Sequence, residues 1–134
     1  MDTLTPEERS ERMGRVRSKD TKPEMRVRRL AHGMGYRYRL HDRRVPGSPD
    51  MVFAGRRKVV FVHGCFWHGH DCKLGRMPKS RVEFWSRKIE GNRDRDARTL
   101  RQISDLGWRA LVLWECQLGD AIWLRSTLAG FLDA

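Results

Sequence analysis

Two apolar segments joined by a helix constrain the fold of this chain more than any other feature. KVVFV at 58–62 is predicted as a strand, and WRALVLW at 108–114 as an apolar strand of the buried, parallel type. The stretch before the second strand, RDRDARTLRQISDLG, has the pattern of an amphipathic helix capped by Gly107. A strand, a helix and a strand form a βαβ unit, so the two strands are predicted to lie parallel with a right-handed crossover.

Helix-start signals precede the first strand twice. TPEE at 5–8 and TKPE at 21–24 each combine an N-cap threonine, a proline in the first turn and a capping-box glutamate. The first signal predicts a short basic helix to about Val16, and the second predicts a helix that ends at Gly33. YRYRL at 36–40 then alternates aromatic and basic residues, which predicts a half-exposed strand.

The remaining elements complete a mixed sheet. MVFA, directly after Asp50, is predicted to form a hairpin with 58–62 around a Gly-Arg-Arg turn. SRVE at 80–83 is a capping box that opens a helix, which Gly91 and Asn92 are predicted to break, and DAIWLRSTLAGFL is predicted as a last helix. The order α-β-β-β-α-β, with extra helices at both ends, predicts an α/β protein with a mixed sheet flanked by helices.

The charge balance favours a nucleic-acid partner. Lys and Arg total 28 against 17 acidic residues, giving a net charge of +11, and 22 of the 28 are Arg. The planar Arg fork suits phosphate oxygens and guanine edges, although a basic solvated surface would show the same excess. The 134 residues fit one domain, with residues 1–20 as a basic N-terminal arm. No membrane-length apolar run and no signal peptide are present, which predicts a soluble, cytoplasmic protein.

All three cysteines follow the two parallel strands. HGCFWHGHDC places Cys65, His70 and Cys72 after the first strand, and Cys116 comes directly after the second. Parallel strands bring their carboxyl ends to one edge of the sheet, so these four residues can meet as a tetrahedral Cys3His zinc site. The alternative is three reduced cysteines buried as small hydrophobic residues. An odd number of cysteines argues against a disulfide framework.

Two histidines and two carboxylates lie near the same edge. His63 and His68 are not needed by the zinc set, and a histidine on a rigid loop can act as a general base. Asp50 precedes the strand paired with 58–62, so it can help to bind a divalent cation for phosphodiester hydrolysis. The alternatives are structural histidines, a turn residue at Asp50 and a capping-box role for Glu24. In a chain this basic, the combination suggests a nuclease.

Aromatic residues lie between the predicted zinc ligands. Phe66 and Trp67, on a loop beside basic residues, can stack on bases or wedge between base steps, and Trp85 on the following helix can join them. Packing in the core is the alternative for these rings.

Four long motifs resemble one enzyme family. HGCFWHGHDC, preceded by PGSPDMVF and followed by EFWSRKIEGNRDRD and LGWRALVLWEC, is similar to the very-short-patch-repair (Vsr) DNA mismatch endonucleases over about residues 8 to 118. The resemblance implies a restriction-endonuclease-like core with a structural zinc. It implies Mg²⁺-dependent nicking of one strand of double-stranded DNA, 5′ to the thymine of a T:G mismatch that arises when 5-methylcytosine deaminates. A monomer acting on such DNA is expected.

The resemblance also assigns roles to single residues. Asp50 would be the Mg²⁺ carboxylate and the backbone carbonyl of Val62 a further ligand, at a position where the family has threonine. His68 would be the general base or water-orienting group, supported by Glu24 and His63. The zinc ligands would be Cys65, His70, Cys72 and Cys116, and the residues entering the DNA would be Phe66, Trp67, Trp85 and Met13.

Two rival functions remain from the sequence. One is a restriction-type or homing-type nuclease that cuts both strands of unmismatched DNA on the same fold. The other is a zinc-stabilised DNA-binding module without catalysis, against which His63, His68 and Asp50 argue.

Overall fold

A computed structural model describes residues 21–40 and 42–134, and three strands within them form one sheet. The strands are β1 (Met51–Phe53), β2 (Lys58–His63) and β3 (Arg109–Trp114), and β2 lies in the middle. β1 pairs antiparallel with β2, and β2 pairs parallel with β3. The mixed sheet confirms the predicted hairpin and the predicted parallel pair of the βαβ unit.

Three helices pack on this sheet: α1 (Lys22–Gly33), α2 (Val82–Asp105) and α3 (Ala121–Leu132). Side chains alternate across β2, so Val60 and Val62 pack with α1 and α3, whereas Val59 and Phe61 pack towards Ile103 of α2. Each face of the sheet therefore has its own apolar core, and the sheet is fixed from both sides. None of the helices in the described ranges is long and apolar enough to cross a bilayer.

The predicted strand at 36–40 is wrong as an element. Only an isolated antiparallel bridge between Arg39 and Val52 forms there. β1 has three residues, so it offers little backbone for a further strand to pair with. Tyr36 and Tyr38 instead pack edge-on against Phe53, with ring centroids 6.4 and 5.8 Å away. The aromatic alternation therefore reflects packing onto the sheet rather than membership of it.

The predicted break at Gly91 and Asn92 is also wrong, because α2 is one continuous helix of 24 residues. A glycine inside a helix costs only about 1 kcal/mol. Burial of Trp85 and Ile89 before the glycine and of Ile103 after it outweighs that cost.

Of the three predicted capping boxes, the two within the described residues differ in outcome. At α1, the Thr21 hydroxyl accepts a hydrogen bond from the Glu24 amide at 3.4 Å, and a proline occupies the first turn. At α2, the N-cap residue is Arg81 in the left-handed region, with φ of 55°, and no side chain caps the helix, so the predicted Ser80 cap is wrong. The predicted helix from residue 5 to Val16, the arm 1–20 and Met13 lie outside the described residues.

Candidate active site and metal centre

The loop that follows β2 and the turn that follows β3 begin side by side. The parallel register pairs His63, the last residue of β2, with Trp114, the last residue of β3. The loop from residue 64 to 72 therefore starts next to the short helical turn at Glu115–Gln117. This shared edge of the sheet carries both clusters described below.

The first cluster is the set of four residues with soft ligand atoms. One ligand atom each from Cys65, His70, Cys72 and Cys116 lies within 4.8 Å of the others. The Cys116 Sγ is 3.5 Å from the His70 Nδ1, and the Cys116 amide donates a hydrogen bond to the Cys65 Sγ at 3.4 Å. The His70 ring also stacks on Trp114, with centroids 4.2 Å apart. Three sulfurs and one imidazole at this spacing fit a tetrahedral zinc ion.

The two thiols within the loop, Cys65 and Cys72, have opposite pKa shifts. Burial raises the pKa of the Cys65 thiol to about 12. Burial also acts to raise the pKa of Cys72, but hydrogen bonds from His70, Cys65 and neighbouring amides outweigh it and lower that pKa to about 7. A bound cation favours the thiolate at both residues, so metal binding would release protons here.

The second cluster begins with two neighbouring carboxylates. Asp50 lies directly before β1, and its carboxylate accepts a hydrogen bond from the Val62 amide of β2. Burial, assisted by the charge of Glu24 and a hydrogen bond with it, raises the pKa of Asp50 to about 7, although the Val62 amide opposes the rise. Glu24 is 4 % exposed and bonds to the Arg28 guanidinium at 3.0 Å. Carboxylate oxygens held together in this way suit a hard divalent cation.

The histidine part of this cluster is already ordered by hydrogen bonding. The His68 Nδ1 lies 2.6 Å from the Asp96 Oδ2. An ionised carboxylate only accepts hydrogen bonds, so Nδ1 carries the hydrogen and Nε2 of a neutral ring keeps its lone pair. One ligand atom each from His63, His68 and Asp96 lies within 4.8 Å of the others, and the contact between His68 and Asp96 has the length of a short hydrogen bond.

His63 lies flat against His68. The two rings are parallel within 1°, with centroids 3.8 Å apart. Burial, followed by the charge of His68, lowers the pKa of His63 to about 4, although Asp96 opposes this. His63 is therefore neutral at physiological pH and adds no positive charge beside His68. Its Nδ1 is buried and has no hydrogen-bond partner among the described residues.

One cleft of about 760 Å³ gathers the predicted catalytic residues. Its lining includes the Asp50 and Glu24 carboxylates, both histidines, the Asp96 carboxylate, Val62 and the Trp67 ring. These residues are Glu24, Asp50, Val62, His63, Trp67, His68 and Asp96.

An aromatic cluster adjoins the cleft. Phe66, Trp67 and Trp85 contact one another edge-on, with centroid separations of 5.1, 5.5 and 6.0 Å. Phe66 and Trp67 are half-buried, whereas Trp85 is 3 % exposed and lies against both. Phe84, beneath the Arg81 guanidinium, is 41 % exposed. The three rings that the sequence places together, Phe66, Trp67 and Trp85, therefore differ in solvent exposure, and Trp85 is the most buried.

Comparison with known proteins gives the family. The sequence family described as DNA mismatch endonuclease Vsr matches residues 1–74. Type II nicking enzyme V.XorIIP of Xanthomonas oryzae is 53% identical over 132 residues, which cover 98% of this chain and 97% of that protein. The chain belongs to the Vsr family of DNA mismatch endonucleases. The resemblance drawn from the four sequence motifs is confirmed.

Other Vsr relatives match over similar lengths. DNA mismatch endonuclease Vsr of Escherichia coli is 44% identical over 110 residues, covering 82% of this chain and 70% of that protein. Type II nicking enzyme V.NmeAIP of Neisseria meningitidis is 42% identical over 127 residues, covering 95% and 91%. The matches to the two nicking enzymes thus cover nearly the whole chain.

Sequence analysis missed one residue of this Vsr-family cleft, Asp96. The signal was present, because Trp85, Lys88, Asn92 and Asp96 follow one another at helical spacing on one face of α2. Asn92 donates a hydrogen bond to the Trp67 carbonyl at 2.8 Å, and the Lys88 ammonium lies 5.4 Å from the Trp67 ring centroid. The predicted break at Asn92 concealed this face.

Proposed function

We propose that this chain is a Mg²⁺-dependent endonuclease that nicks one strand of double-stranded DNA 5′ to the thymine of a T:G mismatch. The observation that carries the proposal is one cleft lined by both the His68–Asp96 pair and the Asp50 and Glu24 carboxylates. The names of the relatives, nicking enzymes and a mismatch endonuclease, support the same reaction. A DNA-binding module would have no use for an oriented histidine beside paired carboxylates.

Asp50 would hold the Mg²⁺, with Val62 contributing its backbone carbonyl, and Glu24 would support the site from beside Asp50. The Val62 amide points to Asp50, and the N–H and C=O of one strand residue face the same edge, so this carbonyl is directed to the carboxylates. A carbonyl ligand needs only the backbone, so valine can serve where the family has threonine. When bound, Mg²⁺ would neutralise the developing negative charge on the phosphate.

His68 would act as the general base or water-orienting group. Asp96 fixes its ring and its tautomer, so that Nε2 is the nitrogen available to accept a proton. The neutral His63 ring supports His68 from one side through the stacked contact. A positioned base of this kind contributes roughly 10²- to 10⁴-fold to a rate.

Phe66 and Trp67 would enter the DNA at the mismatch, with Trp85 behind them. A T:G pair is less well stacked than a correct pair, so wedging there avoids a cost of roughly a few kcal/mol. Trp85 is buried beneath the other two rings, so its contact with DNA requires Phe66 and Trp67 to move outward first. Met13, on the basic arm 1–20, would press from the opposite side.

The zinc ion would have a structural role. Cys65, His70 and Cys72 all belong to the loop that also carries Phe66, Trp67 and His68, and Cys116 joins that loop to the end of β3. With all four ligands from the protein, the metal keeps no open position for substrate. The proposal includes a restriction-endonuclease-like core, one domain over residues 1–134, and a monomer on the DNA.

A duplex panel tests this function. A T:G duplex and its C:G parent, each labelled on either strand, would be incubated with Mg²⁺ or with chelator. We expect Mg²⁺-dependent nicking of only the T-containing strand of the T:G duplex. Cutting both strands of the C:G parent would indicate a restriction-type nuclease. Binding without any cleavage would indicate a DNA-binding module.

A further inference from the structure

One of the cleft carboxylates, Glu24, belongs to a buried ion pair. The Arg28 Nη2 bonds to the Glu24 Oε2 at 3.0 Å, one turn apart on α1, and each side chain is 6 % exposed. The Arg28 Nη1 also lies 3.4 Å from the Met25 sulfur. On the backbone of the same residue, the Tyr38 hydroxyl donates to the Arg28 carbonyl at 2.9 Å. The guanidinium is therefore fixed from its own helix and held against a cleft carboxylate.

Stability of α1 does not explain this pair. A buried ion pair pays a large desolvation penalty, and replacing one with apolar side chains is often neutral or stabilising. α1 already has a threonine cap, a proline in its first turn and the fully buried residues Val27 and Ala31. The role of Arg28 is better sought in the carboxylate that it holds.

The charges around Asp50 indicate that role. Glu24 raises the pKa of Asp50, and Arg28 acts in the opposite direction. Asp50 and Glu24 carry two negative charges when ionised, and Arg28 compensates one of them. Without a fixed cation, Glu24 would be free to turn towards any metal that Asp50 binds, because the two carboxylates are neighbours.

We propose that Arg28 is a positioning residue for the Mg²⁺ site, which holds Glu24 in one orientation and prevents it from becoming an additional tight metal ligand. The proposal rests on the assignment of Asp50 as the metal ligand and of Glu24 as its supporting neighbour in the proposed function. On this proposal Arg28 acts through Glu24 rather than through contact with substrate. Its removal should therefore tighten metal binding while slowing the reaction, a combination that a purely structural defect does not produce.

The experiment measures Mn²⁺ binding to the full chain without DNA, by electron paramagnetic resonance, and single-turnover nicking of the T:G duplex in Mg²⁺. Arg28→Met is expected to bind Mn²⁺ about threefold to tenfold more tightly, because the released Glu24 carboxylate can join Asp50 as a ligand. Its nicking rate is expected to fall about tenfold or more, because Glu24 is misplaced. Arg28→Lys keeps the charge without the fork, and both values should lie between those of Arg28→Met and wild type.

A double-mutant cycle shows whether Arg28 acts through Glu24. In a Glu24→Gln background, Arg28→Met should change Mn²⁺ affinity less than about twofold. The double variant buries no unpaired charge, so it remains a valid test if Arg28→Met alone fails to fold. Arg44→Met, which removes the exposed ion pair with Asp42, is the matched control and should leave Mn²⁺ affinity unchanged.

Three results would overturn the proposal. Arg28→Met could match wild type in both measurements, or it could weaken Mn²⁺ binding and melt at a lower temperature, as a structural residue would. The effect of Arg28→Met could also persist in the Glu24→Gln background. Failure of the wild-type chain itself to bind Mn²⁺ would instead overturn the metal site of the proposed function, and this inference with it.

Discussion

The two clusters at the edge of the sheet are held together by different means. In the cleft, the His68–Asp96 bond, the His63 stack and the Asp50 contact with the Val62 amide use protein groups alone. In the Cys3His cluster, four potential metal-ligand atoms lie within 4.8 Å of one another, and Cys116 is exposed. The cleft is therefore preorganised by the chain, whereas the Cys3His loop would gain further order from the proposed zinc ion. One loop joins them, so the metal can order the loop without taking part in the chemistry.

Removal of the Asp50 carboxylate should have the largest effect on the cleft. Asp50→Asn should lower Mg²⁺-dependent nicking about 10³-fold or more, because a metal ligand is worth several kcal/mol of charge stabilisation. Zinc content, measured by elemental analysis, should equal that of wild type. Nicking within tenfold of wild type would show that the metal is held elsewhere.

Asp96→Asn should have the next largest effect. The amide can donate to the His68 Nδ1 and so favour the wrong tautomer, which should slow single-turnover nicking about 10²-fold or more. Asp94→Asn, two residues away on α2, is the matched control. Equal rates for the two variants would contradict the role given to Asp96.

Disruption of the Cys3His cluster should lower the stability of the protein more directly than its nicking rate. Cys116→Ala should lose zinc and lower the melting temperature by about 5 °C or more, because a bound metal would add its binding free energy to the free energy of folding. His32→Ala, at the exposed end of α1, should retain both. Soluble, active Cys116→Ala without zinc and with wild-type melting would contradict a structural metal.

His63 should have the smallest effect, visible in the pH dependence of stability. The pKa of His63 falls from 6.5 to about 4 on folding, so between these pH values the unfolded chain binds a proton at His63 and the folded chain does not. The resulting stability is complete above pH 6.5 and is lost as the pH falls towards 4. His63→Gln should remove a difference on the order of 1 to 3 kcal/mol between those limits, measured by denaturant unfolding. Parallel pH curves for the two proteins would refute this assignment.

The parts of the site that depend on strand order could be predicted from the sequence. Cys65 and Cys116 are 51 residues apart, yet parallel strands must deliver them to one edge. Asp50 reaches Val62 because a hairpin places them together. Both conclusions need only the order and direction of strands, which apolar patterning and turn residues encode locally.

Features that depend on packing could not be predicted in this way. Gly91 and Asn92 have poor helix propensity, and only burial on either side keeps α2 continuous and brings Asp96 to His68. Trp85 was grouped with the exposed rings, although contacts with Phe66 and Trp67 enclose it. The segment 36–40 alternates as a strand does, but the partner strand is too short to pair with it.

The most direct test of the division between the two clusters uses two histidines of the same loop. Zinc content and single-turnover nicking of a T:G duplex would be measured for His68→Ala and His70→Ala. We predict that His68→Ala keeps its zinc and melting temperature but nicks roughly 10²- to 10⁴-fold more slowly, whereas His70→Ala loses zinc, stability and DNA binding together. A His68→Ala protein that nicks near the wild-type rate, or that fails only because it loses zinc, would contradict the account.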